Sequence, residues 1–159
     1  MLILLLLLLC GAVHSSLFEI PVSLDQKSLP SIHYDGGSDP AQTVAAYLIA
    51  NDLKPQQDLV NALNKRVISM LHTLATNTAG KELLFNVPFT LGSVTYELPL
   101  YEKMSVLLVA SNFCVTHVNM LDTYEISVAE CTSTVIQLTD DLHDRLLSYA
   151  TSEDRRKEI

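Results

Sequence analysis

Two short stretches decide how this chain is read: Phe18-Glu19-Ile20-Pro21-Val22-Ser23-Leu24 and Phe85-Asn86-Val87-Pro88-Phe89-Thr90-Leu91. Both follow the pattern Phe-x-β-branched-Pro-apolar-hydroxyl-Leu, and Phe85 stands 67 residues after Phe18. A turn-like stretch follows each, Asp25-Gln26-Lys27-Ser28 in the first case and Gly92-Ser93 in the second. A second alternating run comes after the turn, Leu29 to Tyr34 and then Val94 to Tyr101. Alternation on both sides of a short turn predicts a β-hairpin.

Helical patterns follow each hairpin. Ser38-Asp39-Pro40 is a start signal, a capping side chain with proline in the first turn, and Val44, Tyr47, Leu48 and Leu53 supply an apolar side. Val109 to Cys114 aligns with Val44 to Ile49 at a spacing of 65, the two-residue difference falling in the turn. Pro55 to Leu74 carries Leu59, Leu63, Val67, Met70, Leu71 and Leu74 at three-to-four spacing. Thr123 to about Tyr149 carries Ile126, Val135, Leu138, Leu142 and Leu146. Thr76-Asn77-Thr78-Ala79-Gly80 punctuates the boundary, and a mixed-charge tail from Ser152 is expected to fray. The expected fold is α+β, two tandem β-hairpin–helix–helix modules over 16–78 and 79–150, with the tail at 151–159. The alternative is one irregular α+β domain in which the two Phe-x-x-Pro strands coincide by chance.

The amino terminus sets the expected compartment. Leu2 to Leu9 is an unbroken aliphatic run followed by Cys10-Gly11-Ala12-Val13-His14-Ser15. It is too short to span a bilayer, which takes about 20 apolar residues. It has the length of a signal-peptide core with small residues beyond it, so residues 1–15 read as a signal peptide cleaved after Ser15 or Ala12. Secretion is the expectation, with the ER or Golgi lumen as the alternative. All ten basic and eighteen acidic residues follow that leader, so the remainder keeps the net charge of −8. Such a balance disfavours nucleic acid and anionic membranes, both of which need Lys and Arg at the contact.

Ser38-Asp39-Pro40, Val44-Ala45-Ala46-Tyr47-Leu48, Asn51-Asp52-Leu53 and Leu59 together resemble the helical part of the PFU domain, the ubiquitin-binding module of the phospholipase-A2-activating-protein family. The second half, with Phe113-Cys114 and His117, is similar to short repeats in secreted or lumenal protist and oomycete proteins, some of which accompany glycosyl- or methyltransferase domains. The resemblance covers about forty residues per half, mainly at core positions, and implies a small sheet packed on a helical hairpin. It transfers no binding residue, and ubiquitin is cytosolic.

With Cys10 in the leader, Cys114 and Cys131 remain, and an oxidising compartment invites one disulfide. On facing helices the two lie within bridging reach. In the first half Ile49 is expected at the position of Cys114, and Arg66-Val67 beside that of Cys131. Asp140, His143 and Asp144 share one helical face and could bind a cation, but a solvated face is the plainer reading. His117 reads as a helix C-terminal cap, His33 and His72 have no companion at ligand spacing, and Gly36-Gly37-Ser38 is no phosphate cradle. No catalytic or cofactor motif is present, so no enzyme activity and no cofactor are expected. Tyr34, Tyr96 and Tyr101 are the candidate interaction anchors, alongside open hairpin edges. These readings point to a secreted or lumenal protein-interaction module, an effector or inhibitor, whose partner is an extracellular or lumenal protein. A small apolar-ligand carrier and a lumenal accessory module of a transferase are the alternatives.

Overall fold

The computed structural model describes residues 16–157, so the expected leader at 1–15 lies outside the described residues. The chain order is β1 (Phe18–Leu24), β2 (Lys27–Tyr34), α1 (Pro40–Ala50), α2 (Gln57–Thr76), β3 (Leu83–Leu91), β4 (Val94–Tyr101), α3 (Val106–Thr116), α4 (Val118–Thr123) and α5 (Val128–Lys157). The architecture is α+β, with two separate two-stranded antiparallel sheets, β1-β2 and β3-β4.

Period two builds both hairpins. Ile20 and Val22 point inward from β1, as Val87, Phe89 and Leu91 do from β3, while the intervening residues face out. On the partner strands Ile32 and Tyr34, then Leu98 and Leu100, complete the inner faces. Pro21, Pro30, Pro88 and Pro99 all sit at exposed strand positions. In a two-stranded sheet every strand is an edge, so a proline's missing N–H need not break a central ladder. The hairpins turn differently: Asp25 and Gln26 both have positive φ (49° and 64°), whereas only Gly92 (62°) does in the second.

Helix starts follow from their caps. The Asp39 carboxylate accepts the Ala41 N–H at 3.0 Å, with Pro40 in the first turn. Ser105 Oγ accepts from Leu108 N–H, and Ser127 Oγ from Glu130 N–H at 3.0 Å. Helix α1 ends with Asp52 at φ 58°, the Leu53 N–H donating to Leu48 O and Asp52 N–H to Ile49 O. This is the crossed pair of a Schellman ending. The same arrangement recurs at Leu121–Ile126 with Glu125 at φ 55°.

Three expectations are corrected here. The register between α1 and α3 is 66, not 65, because the caps Asp39 and Ser105 and the terminal residues Asn51 and His117 pair at that spacing. At 66, buried Val44 and Leu48 stand where buried Ala110 and Cys114 stand, and Ile49 is 63% exposed. Leu48, not Ile49, is therefore the counterpart of Cys114. Next, the long helix starts at Val128 rather than Thr123; residues before it form the short α4 and the turn that follows. Finally, the long helix does not end near Tyr149 but extends to Lys157, into the expected tail.

One hydrophobic core runs through both halves, from Ile20, Ile32 and Val44 to Val87, Ala110, Leu121 and Val135. At the junction the Gly37 N–H donates to the buried Ser111 Oγ at 2.9 Å, across 74 residues of sequence. Gly36 lies there too, at φ +78°, where a Cβ would press on Leu107 and Ser111. Two buried threonines on α5, Thr132 and Thr139, donate to Val128 O and Val135 O, so neither hydroxyl is orphaned.

Candidate functional site

The last turn of α2, strand β4 and helix α3 enclose an open groove of about 390 Å³. Its position follows from the two periods that meet there. Tyr96 shares the inner face of β4 with Leu98 and Leu100, while Val109, Phe113 and His117 lie one turn apart along α3. His72 and Thr76 close the third side from α2.

Aromatic rings form the floor. Phe113 meets Phe89 at 5.3 Å and Tyr96 at 5.2 Å, both edge-on, with interplanar angles of 77° and 68°. Such contacts add about 0.5–1.5 kcal/mol each beyond burial. The His117 ring stands 4.3 Å from Phe113 and 4.8 Å from Tyr96. His117 Nδ1 lies 2.7 Å from Phe113 O; a carbonyl can only accept, so the proton is on Nδ1 and Nε2 is left for another partner. The Tyr96 hydroxyl reaches Met120 Sδ at 3.6 Å, a weak bond that leaves it able to serve a ligand.

The rim is polar without cations: Glu97, Asn112, His72 and the threonines. Two of its hydroxyls are committed to their own helices, Thr76 to His72 O at 2.8 Å and Thr116 to Asn112 O at 2.7 Å. The arrangement can hold an apolar or aromatic group against the rings and offer hydrogen bonds around it.

The three candidate tyrosines separate. Tyr96 and Tyr101, both half-buried, line the groove. Tyr34 is a correction: it is wholly buried, its hydroxyl donates to Ser38 O at 2.7 Å, and its ring packs on Phe18. It faces the core because it shares a strand face with Ile32. Burial pushes its pKa up to about 12.

Cys114 and Cys131 are bridged, with Cα atoms 5.9 Å apart and both side chains buried, tying α3 to α5. Asp140, His143 and Asp144 lie exposed on α5; the His143 ring stacks on Phe85 at 6.4 Å. Among the described residues no group of three His, Cys, Asp or Glu side chains is placed to hold a metal ion. His33 pairs with Glu19 at 3.2 Å on an exposed hairpin face. Of the groove's rings, Phe113, His72 and His117 do not stand out in the sequence as binding residues, His117 reading there as a cap. The readable signal was Phe113-x-x-x-His117, two rings one helical turn apart.

Among the described residues no helix is long and apolar enough to cross a membrane. Comparison with protein-family models, with curated proteins and with solved structures found no match to this chain.

Proposed function

We propose that the protein is a secreted or lumenal, non-catalytic interaction module that grips an apolar segment of a partner protein in the groove between β4, α2 and α3. The aromatic floor of Tyr96, Phe113 and His117 beneath an open, polar-rimmed cleft carries this reading. Tyrosine at such a site supplies a rigid anchor with a hydrogen-bonding tip. Thr76 and Thr116, tied to helix carbonyls, are poor nucleophiles, which favours binding over bond breaking. A net charge of −8 and a rim without cations suit a partner segment with basic flanks.

A signal peptide at 1–15 and the Cys114–Cys131 bridge both fit an oxidising compartment. We also take the recurrence in each half of a hairpin followed by an eleven-residue helix with a side-chain N-cap as the trace of an internal duplication. In that reading the disulfide replaces an aliphatic contact made by Leu48 in the first half.

The test is capture from culture medium by the tagged mature protein, with Thr116→Arg as the comparison. Thr116 is exposed at the rim, so arginine there fills the groove without disturbing the core. Capture is expected to fall by roughly tenfold, while Ile49→Arg, on an exposed face of α1, leaves it intact. Equal capture by Thr116→Arg refutes the groove as the binding surface. The cavity also favours a second reading, a carrier of a small apolar ligand, since its volume lies in the range of ligand sites. A bound apolar mass in the native mass spectrum of the purified protein, displaced in Thr116→Arg, is that reading's expected signature.

A further inference from the structure

In a two-stranded sheet each strand leaves one side of its backbone without a ladder partner, and such an edge invites another strand unless it is blunted. The two halves treat theirs differently. On β2 the edge position is Pro30, which has no N–H, and its carbonyl accepts a hydrogen bond from the Tyr47 hydroxyl on α1. Both backbone groups there are accounted for. Pro30 is the third residue after Lys27, which pairs with Leu24 to close the first turn; Glu97 is the third after Val94, which pairs with Leu91 to close the second. Tyr47 stands eight residues after its helix cap Asp39, and Phe113 eight after Ser105. At the same two places, then, the second half carries Glu97, which keeps its N–H, and Phe113, which has no hydroxyl to give.

The edge of β4 is therefore open, and it runs along the groove. Bonded and unbonded pairs alternate in an antiparallel hairpin. Counted from the Leu91–Val94 pair beside the two-residue turn, Tyr96 and Leu98 turn their backbone groups toward β3, while Thr95, Glu97 and Pro99 turn theirs outward. Pro88 and Pro99, which have no N–H, fall at the unbonded pairs, as this count requires. Among the described residues no backbone group of another element bonds to Glu97 or Pro99 from that side. The hydroxyls of Thr76 and Thr116, across the groove, are spent on their own helices.

We infer that the groove takes its partner as an extended segment, added to the open edge of β4 as a third strand and carrying side chains in the order apolar–basic–apolar. The inference rests on the groove being the binding surface, as proposed above, and specifies the chemistry of what enters it. Side chains alternate along a strand, so the two apolar ones, opposite Tyr96 and Leu98, point onto the Phe113 and His117 rings of α3. The residue between them lies opposite Glu97 and points away from that floor, while the segment's backbone bonds to the free N–H and C=O of Glu97. Among the described residues Glu97 is the only Asp, Glu, Lys or Arg that lines the groove, and it is exposed, so a lysine or arginine there completes a cross-strand pair. A second copy of this chain is the poorer occupant. Two β4 edges turned together about a two-fold axis at Glu97 set one carboxylate against its twin.

Short capped peptides test it. Acetylated and amidated Thr-Phe-Lys-Phe-Thr and Thr-Leu-Lys-Leu-Thr carry the pattern; Thr-Phe-Glu-Phe-Thr and the reordered Phe-Phe-Lys-Thr-Thr do not. By titration calorimetry the first two are expected to bind, and the others at least roughly tenfold more weakly. In the complex the Glu97 N–H should become protected from exchange with deuterium, as followed by NMR. Glu97→Pro reproduces the Pro30 edge at a position that gives β3 no bond, and Phe113→Tyr restores the hydroxyl of the first half. Each should weaken binding by roughly tenfold, with circular dichroism checking that both stay folded. Glu97→Lys should turn the preference toward the glutamate-centred peptide. Binding that leaves the Glu97 N–H unprotected and is undiminished in Glu97→Pro keeps the groove as the binding surface but overturns strand addition. Failure of both patterned peptides to bind overturns the inference whatever Thr116→Arg does to capture. A dimer of the unaltered protein in sedimentation velocity that Glu97→Pro dissolves gives the edge to a second copy, and overturns it as well.

Discussion

At the scale of the single residue, Tyr34 carries the clearest measurable consequence. Ionising its phenol would place a charge where no water reaches, and Asp39 nearby opposes it further, so the pKa rises from 10.0 to about 12. The sign follows from linkage. Below pH 10 both folded and unfolded chains hold the proton, and stability does not depend on this group. Between 10 and about 12 the unfolded chain releases its proton while the folded chain keeps it, so stability falls as pH rises, by up to about 3 kcal/mol. Urea denaturation at successive pH values should show that slope, and Tyr34→Phe should flatten it while costing about 1 kcal/mol at neutral pH for the lost bond. A slope of equal size in both proteins would remove Tyr34 as its cause. The same residue marks a limit of reading tyrosines as anchors by type. Ile32 and Tyr34 share a strand face by period two, so burial was legible for this ring; for Tyr96 the same rule gives an inward face but cannot show that a cleft opens beside it.

Among the elements, the hairpins were legible because alternation and turn residues agree, and α1 because Asp39-Pro40 is an explicit start. Helix α4 was not. Six residues with one buried side chain, Leu121, are too few to show a helical period. The start of α5 was readable but passed over: Ser127-Val128-Ala129-Glu130 has the spacing of a capping box, and Ser127 Oγ does accept the Glu130 N–H. Turn chemistry supplies a prediction at this scale. The β1-β2 turn holds both Asp25 and Gln26 in the left-handed region, which suits a type I′ hairpin but costs a residue with a side chain about 1 kcal/mol. Gln26→Gly removes that cost at an exposed position and should raise the stability by roughly that amount in thermal or urea melts. An unchanged or lowered midpoint would mean that the Gln26 side chain contributes something the turn geometry does not explain. The stripe on α5 shows the converse limit. Leu138, Leu142 and Leu146 read as one apolar side, yet the body covers only its first part. Periodicity tells that a face seeks burial, not whether its own chain supplies the cover.

For the molecule as a whole, the question is whether two similar halves behave as two domains or as one. The packing argues for one. The core passes without a break from Ile20 and Val44 to Ala110 and Val135. Gly37 is bonded to Ser111 across the junction, at a point where the close fit of Gly36 against Leu107 leaves no room for a side chain without displacement. Neither half could separate without exposing part of the other's interior, so unfolding one should carry the other with it. Calorimetry of the oxidised protein is expected to show a single transition whose van't Hoff and calorimetric enthalpies agree. The Cys114–Cys131 bridge sharpens the test, since it joins α3 to α5 wholly within the second half. With its ends 17 positions apart in sequence, it should stabilise by about 3 kcal/mol on the chain-entropy account. If the halves were independent, reduction would leave the first half's melting in place and split the trace in two. Because they share a core, reduction should instead move one undivided peak downward by about 10 °C. Two peaks in the reduced protein, one at the original temperature, would show that the halves fold separately and that the contacts between them add little.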